Sequence, residues 1–513
     1  MLCKTYSSAL FGIDSTIITI ETDVQGTMNA FYMVGLADMA VKESRERIGS
    51  AYQNNGFYFP RGKVLVNLAP ADIKKEGAAF DLPIAVAILT ASMQINVRED
   101  LSEYLILGEL SLDGKLKGVR GVLPMVSSAV RMGFKKILLP KINAKEAALV
   151  DGCEVYGAED IKQAVNHLTG IERIEPQRDE SSIRMEYYNR YDVDMSDVKG
   201  QESVKRAMEI AAAGSHNMLM IGPPGSGKSM LAKRFPTILP PMTKAESLEV
   251  TKIYSVCGML SDDTPLVQTR PFRSPHHSIS SAALVGGGRI PRPGEASLSH
   301  CGVLFLDEFA EFSKSSIEVL RQPIEDKKVN ISRVQAMITY PSSFMLLASM
   351  NPCPCGYYND PNNTCKCSQS AVDRYMQKLS GPILDRIDIF THVTVESYEK
   401  LTSRDEEKPE SSRDIRERID VARDRQLHRF KDTNQHFNSQ LSVTQIDEFC
   451  FLGEREEKLM KAAFQKFNMS ARSYHRVLKL ARTIADLDDS ERLDVRHLSE
   501  ALQYRSFEQR FKI

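Results

Sequence analysis

The residues best suited to chemistry stand in one short run. Met218-Leu219-Met220-Ile221 is apolar and leads straight into Gly222-Pro223-Pro224-Gly225-Ser226-Gly227-Lys228-Ser229. The spacing is G-x-x-x-x-G-K-[ST], a strand feeding a glycine turn that opens a helix. Glycines let backbone N–H groups turn inward around an anion, and the helix that follows aims its positive end at the same point. Such a cradle suits phosphate. Lys228 would reach the outer phosphates and Ser229 would hold Mg2+, so ATP with Mg2+ is the expected ligand pair.

A second apolar run, Gly302-Val-Leu-Phe-Leu, ends in Asp307 and Glu308. Buried strands of parallel sheets read as continuous apolar runs, and ligands gather at their carboxyl ends. Asp307 would help hold Mg2+. Glu308 would orient the attacking water, since phosphoryl transfer needs positioning and charge stabilisation more than covalent help. A third buried run, residues 344–350, ends at Asn351. Beyond it, Cys353-Pro-Cys355 and Cys365-Lys-Cys367 bring four thiols into one loop. Two close pairs across a short loop suit tetrahedral Zn2+, which soft thiolates select over Mg2+ or Ca2+; free thiols are the alternative.

These strands need an α/β scaffold. At 513 residues the chain is too long for one core, so several domains are expected. Residues 1–168 alternate Ile-, Val- and Thr-rich runs (15–21, 63–68) with helical patterns (37–54, 81–93) and form a first α/β domain. Residues 169–192 turn polar and aperiodic, as a linker does. Residues 193–398 hold the nucleotide motifs and the cysteines. Residues 399–513 begin highly charged, with an arginine-rich helical stretch over 415–430, and end in amphipathic helices. No apolar stretch approaches the ~20 residues of a membrane span and no signal pattern opens the chain, so a cytoplasmic location is expected. The net charge of −1 neither favours nor excludes nucleic acid. Nine cysteines, four of them clustered, fit a reducing compartment and a metal site better than a disulfide framework.

Between the first two nucleotide motifs lies a glycine- and proline-punctuated insert containing His276 and His277. Adjacent histidines on a strand point in opposite directions, so they read as hydrogen-bonded loop residues rather than metal ligands. Residues 326–335 read as a second hairpin just before the third strand.

The N-terminal motifs Asn67-Leu-Ala-Pro70, Lys75-Glu-Gly-Ala-Ala-Phe-Asp-Leu-Pro83, Gly108-Glu-Leu-Ser-Leu-Asp-Gly114 and Gly133-Phe-Lys-Lys-Ile-Leu-Leu-Pro140 resemble the proteolytic domain of Lon-type proteases and the related domain of RadA. That resemblance implies a ribosomal S5 domain 2-like fold with a Ser/Lys dyad. Here Ala79 falls at the serine position and Leu123 near the lysine position, and neither carries a nucleophilic or titratable atom. A protease fold without protease chemistry follows, unless Ser92 or Lys74 substitutes. Docking, oligomerisation and nucleic-acid binding remain the open roles.

Asp197-Val-Lys-Gly-Gln201 resembles the entry to an AAA+ module. In that superfamily a polar residue in the position of Asn351 is sensor 1. Leu379-Ser-Gly-Pro-Ile-Leu-Asp-Arg386-Ile-Asp388 resembles its arginine-finger segment, which makes Arg386 the finger, with Arg374 competing. The insert and hairpin resemble those of magnesium-chelatase motors and MCM helicases, whose hairpin carries basic residues into a pore; Lys327, Lys328 and Arg333 are the corresponding DNA-contact candidates. The terminal helices resemble the AAA+ lid, with Arg472 at the sensor 2 position and Arg476 one turn on. From end to end the chain resembles the YifB/ComM group of magnesium-chelatase-like AAA+ ATPases. The resemblance implies a Lon-like domain, a parallel-sheet P-loop core and a helical lid. It also implies a ring, expected to be a hexamer, that hydrolyses ATP and acts on single-stranded or branched DNA, as in branch migration during recombination or natural transformation. A chelatase motor subunit and a protein unfoldase are the alternatives.

Overall fold

The computed structural model describes residues 1–509 apart from 27–28, 180–190, 262–263, 289–290, 334–335, 361–362, 397–408 and 434. The chain forms two compact units: Met1–Tyr188 together with Lys244–Gln268, and Asn189–Thr243 together with Thr269–Ile513.

The first unit is built on β1 (Leu2–Phe11), β2 (Asp14–Gln25), β3 (Ala30–Val34), β4 (Lys63–Ala69), β5 (Tyr104–Ile106), β6 (Lys136–Pro140) and β7 (Glu154–Ala158). They make one mixed sheet in the order β3-β4-β2-β1-β5-β6-β7. In β4, Val64, Val66 and Leu68 are buried while Lys63 and Leu65 face out, the period of two that places one face on a core. Helices α1 (Ser44–Asn54), α2 (Asp81–Ala91) and α3 (Val122–Arg131) cover it. α2, which the helical pattern over 81–93 anticipates, is apolar on most of its surface and buried on nearly every residue. The α/β expectation for this segment holds. The helix Lys244–Cys257, which follows the phosphate loop in the chain, also belongs to this unit.

The second unit contains β8 (Met218–Ile221), β9 (Phe272–Arg273), β10 (Val303–Leu306), the hairpin β11 (Lys328–Arg333) and β12 (Ala336–Pro341), β13 (Met345–Met350) and β14 (Ile389–His392). The central sheet runs β9-β10-β13-β8-β14, all parallel. Every residue of β8, β10 and β13 is buried, as the apolar runs require when helices cover both faces. Helices α4 (Glu202–Gly214) and α5 (Lys228–Ile238) pack on it. The C-terminal region is helical, with α6 (Ser412–Arg429), α7 (Ala471–Leu487) and α8 (Val495–Gln509). One apolar core joins these helices to the sheet: Met218, Leu347, Ile419, Val477 and Leu498 belong to the same buried cluster.

Candidate nucleotide site and cysteine cluster

Strand register assembles the site. Ile221 of β8 lies opposite Met350 of β13, so Gly222 and Asn351 leave the sheet side by side. Leu306 of β10 lies opposite Ala348, so Asp307 comes level with Ser349, whose hydroxyl donates to Asp307 Oδ1. Three motifs spread over residues 222–351 thus meet at the carboxyl ends of adjacent strands, where open α/β sheets bind ligands.

Gly225 and Gly227 take φ of 76° and 91°, which opens the loop toward its own amides, and Gly227 caps α5. Lys228 heads that helix. Its ammonium donates to Gly222 O and Pro223 O, each at 2.8 Å, and to Asn351 Oδ1 at 3.3 Å. Burial lowers its pKa, against the pull of Asp307 and Glu308. Ser229 Oγ donates to Asp307 Oδ2 at 2.6 Å. A hydroxyl beside a carboxylate oxygen is a hard donor set that suits Mg2+. Ser226 Oγ is buried without a hydrogen-bond partner among the described residues, a cost that a bound phosphate oxygen would remove.

Glu308 has φ 53°, the left-handed region that non-glycine residues adopt at a cost of about 1–3 kcal/mol and chiefly where function demands it. Its amide donates to Asp307 Oδ1 at 3.0 Å, and its Oε2 lies 3.2 Å from His277 Nδ1. The two histidines are hydrogen-bonded loop residues, as expected, but not because of strand alternation. They follow β9 in a turn rather than a strand, and their rings lie together with centroids 4.1 Å apart instead of pointing oppositely. His276 is a loop histidine bonded to Ser278 Oγ at 2.8 Å, whereas His277 is tied to the acidic strand end. The pair escapes sequence reasoning because thirty residues separate its members and no motif links them.

Arg386 and Arg472 share one carboxylate. Arg386, 7% exposed, is ion-paired to Glu325 and donates to Pro382 O at 2.7 Å. Arg472 reaches the other oxygen of Glu325 at 3.2 Å and is half exposed. The Arg386 hydrogen bond, with Arg472 and Arg476 adding, holds the Glu325 carboxyl below its ordinary range. One turn beyond Arg472, Arg476 bonds Asp388 Oδ1 at 2.8 Å. Burial works to raise Asp388, but Arg476, His216 and the Asn217 amide together hold it far below the usual range. Arg374 lies exposed on helix Gln369–Met376 and donates to Ser370 O at 3.2 Å.

The basic hairpin differs from its expectation in detail. Lys328 is exposed, but it pairs with Pro341 at the base of the hairpin. Lys327 precedes the strand and is partly withdrawn: desolvation, with Arg476 adding, lowers its pKa to about 8 against the pull of Asp388. Arg333 stands next to the tip, and its side chain is outside the described residues. Most arginines of α6 are taken up by partners: Arg418 pairs with Glu209 and Glu410, Arg429 with Asp486, and Arg423 stacks 3.7 Å over the Phe437 ring, while Arg413 stays exposed beside Glu417.

The sulfurs of Cys353, Cys355, Cys365 and Cys367 lie within 4.8 Å of one another. Three of the separations are 3.4, 3.5 and 3.7 Å. Tetrahedral Zn–S bonds of about 2.3 Å imply sulfurs about 3.8 Å apart, so the set fits zinc. Backbone amides of Tyr357 and Lys366 lower the Cys355 thiol to about 6, while, against one backbone amide each, desolvation and the hydrogen bonds to Cys355 and Cys353 raise the Cys365 and Cys367 thiols. The loop also touches the phosphate cradle. At Gly356, φ 88°, a Cβ would stand 2.4 Å from Pro224 Cδ, so only glycine allows that approach.

In the first unit Ala79 and Leu123 are both buried, and Leu123 is fully enclosed. The Leu123 amide donates to Glu146 Oε1 at 2.8 Å.

The family described as Magnesium chelatase, subunit ChlI, matches residues 194–401; Subunit ChlI of Mg-chelatase matches 20–143, and Magnesium chelatase, subunit ChlI C-terminal, matches 409–505. The uncharacterized protein YifB of Escherichia coli is 41% identical over 98% of this chain and 97% of its own length. Competence protein ComM of Haemophilus influenzae is 40% identical over 98% of this chain and 97% of its own length.

Proposed function

The chain belongs to the YifB/ComM family of magnesium-chelatase-like proteins, with a ChlI-type ATPase domain, and from that premise we propose that it is a ring-forming motor that couples Mg2+-dependent ATP hydrolysis to the remodelling of branched DNA. The observation that carries the ATPase half is the meeting of Lys228, Ser229, Asp307, Glu308 and Asn351 at neighbouring strand ends. The DNA half rests on a relative whose name is competence protein and on a hairpin that leads to Arg333.

The loop 222–229 would wrap the phosphates through the backbone amides of residues 225–229, since Pro223 and Pro224 have no N–H to give. Lys228 exchanges its carbonyl partners for the β- and γ-phosphate oxygens. Ser229 and Asp307 would hold Mg2+, which would supply charge neutralisation for the phosphates. Glu308 accepts a hydrogen bond from the attacking water, and Asn351 donates to that water or to the γ-phosphate. Arg386 serves the neighbouring subunit's site as a finger, and Arg472 senses nucleotide from the lid. The four cysteines hold one structural Zn2+ that fixes the loop against Pro224. The N-terminal unit carries no protease chemistry, because Ala79 and Leu123 cannot act as nucleophile and base.

Glu308→Gln tests the ATPase half: nucleotide binding persists while turnover falls by about 10²-fold or more, since only transition-state handling is lost. Unchanged turnover contradicts the assignment.

A further inference from the structure

Between the end of α5 at Ile238 and the start of β9 at Phe272, the chain leaves its ATPase unit; Lys244–Gln268 is part of the N-terminal unit. Its place there is specific. Leu266 and Leu248 pack with Leu123, Leu149 and Val150 in one small apolar cluster. Ser255 Oγ donates to Glu146 Oε1 at 2.5 Å, and the Gly121 amide donates to Ser255 O at 3.1 Å. Lys244 pairs with Asp151 at 3.1 Å.

Glu146 explains why the joint is tight. Its carboxyl is buried, and burial raises its pKa while Ser255 and the Leu123 amide oppose that rise. A buried carboxylate without hydrogen bonds is costly, so Glu146 needs both donors. One comes from the first turn of α3 and the other from the helix Lys244–Cys257. The same turn of α3 carries Leu123, near the position that the resemblance to Lon-type domains gives to the proteolytic lysine. Leucine there supplies apolar surface that Leu266 covers.

We propose that the face of α3 around Leu123, with Glu146 and Leu149 beside it, is a socket for the motor's own segment 244–268, and that seating this segment sets the rate of ATP hydrolysis. The second clause rests on the ATPase reading above. Its physical basis is connectivity. At one end the segment runs back into α5, which begins with Lys228 and Ser229; at the other it runs into β9 and then His277, the partner of Glu308. A fixed segment therefore restrains the elements that hold the phosphates and the water-orienting carboxylate.

The test uses the full chain, hydrogen exchange and steady-state ATPase. Ser255→Asp sets a second carboxylate against buried Glu146 and should raise amide exchange across 244–258 by about tenfold or more. It should also change kcat by at least about threefold with little change in KM for ATP. Adding Glu146→Gln removes the like charge, leaves an amide that can donate to the new carboxylate, and should restore both readouts. Leu266→Ala, a milder change, should move both in the same direction. Exchange in 244–258 of the unaltered protein as fast as in an unstructured peptide overturns the socket, as does failure of Glu146→Gln to restore protection. Raised exchange with unchanged kcat overturns the coupling. If the unaltered chain hydrolyses no ATP, the ATPase reading fails, while exchange still decides the socket.

Discussion

His277 Nδ1 lies 3.2 Å from Glu308 Oε2, so the carboxylate assigned to the attacking water is oriented by a side chain from the turn after β9. Phe312 closes edge-on against the His277 ring at 6.4 Å, which limits where the imidazole can go. Replacement of His277 by Ala should leave KM for ATP nearly unchanged and lower kcat by about tenfold, a smaller loss than from Glu308→Gln, because positioning is weakened while the carboxylate stays. His277→Asn, which keeps a donor, should recover part of the rate. Steady-state kinetics check this; a raised KM with normal kcat assigns His277 to ground-state binding instead.

Lys228 makes three hydrogen bonds that converge on the phosphate loop and the tip of β13. Lys228→Ala should abolish nucleotide binding in a fluorescent-ATP titration. Asn351→Ala should keep binding and lose turnover by about 10-fold or more, since its amide acts on the reacting centre. Equal loss of binding in both variants removes Asn351 from a catalytic role.

The shared carboxylate of Glu325 sets a condition on the finger. Arg386 is buried against Glu325 within its own chain, so reaching a neighbour requires that ion pair to open. Arg386→Ala and Lys228→Ala proteins, each inactive, should recover part of the ATPase when mixed, because some interfaces then pair an intact loop with an intact finger. No recovery, with equal losses of thermal stability in Arg386→Ala and Glu325→Ala, makes the pair a structural one.

The cysteine loop predicts about one Zn2+ per chain, retained on dialysis at neutral pH and released by acid as the thiolates protonate. Gly356→Ala would place a Cβ against Pro224 and should weaken ATP binding while zinc stays bound. Elemental analysis and nucleotide titration read the two effects separately. Protein purified without chelators and free of zinc contradicts the site.

Much of this was legible in the sequence because it is local. The phosphate loop, the acidic strand end and the paired cysteines each lie within a few residues, and continuous apolar runs identify the parallel strands that carry them. What was not legible depends on partners far along the chain. Glu325 carries no motif, yet it joins Arg386 to Arg472 across the fold. The helix Lys244–Cys257 follows the phosphate loop in sequence, and its attachment to the N-terminal unit is decided by Leu123, Leu149 and Glu146, about a hundred residues earlier. The arginines of α6 resemble a basic face until Glu209, Asp486 and Phe437 are brought against them. Lys327 likewise is desolvated by burial and lies in the opposing fields of Asp388 and Arg476, which no spacing rule connects to it.

The motor assignment is tested most directly by measuring ATP hydrolysis with four-way DNA, forked DNA, linear duplex and an unfolded protein in parallel, with strand exchange on the four-way substrate followed in the same samples. Four-way or forked DNA should stimulate hydrolysis and the four-way junction should be resolved only with hydrolysable ATP, with binding weakening as salt rises because phosphate contacts release counterions. Arg333→Ala and Lys328→Ala should lower affinity across sequences and flatten that salt dependence, whereas Lys327→Met should change it least. Stimulation by the unfolded protein alone, with branched DNA neither bound nor remodelled, contradicts the account and makes the protein an unfoldase.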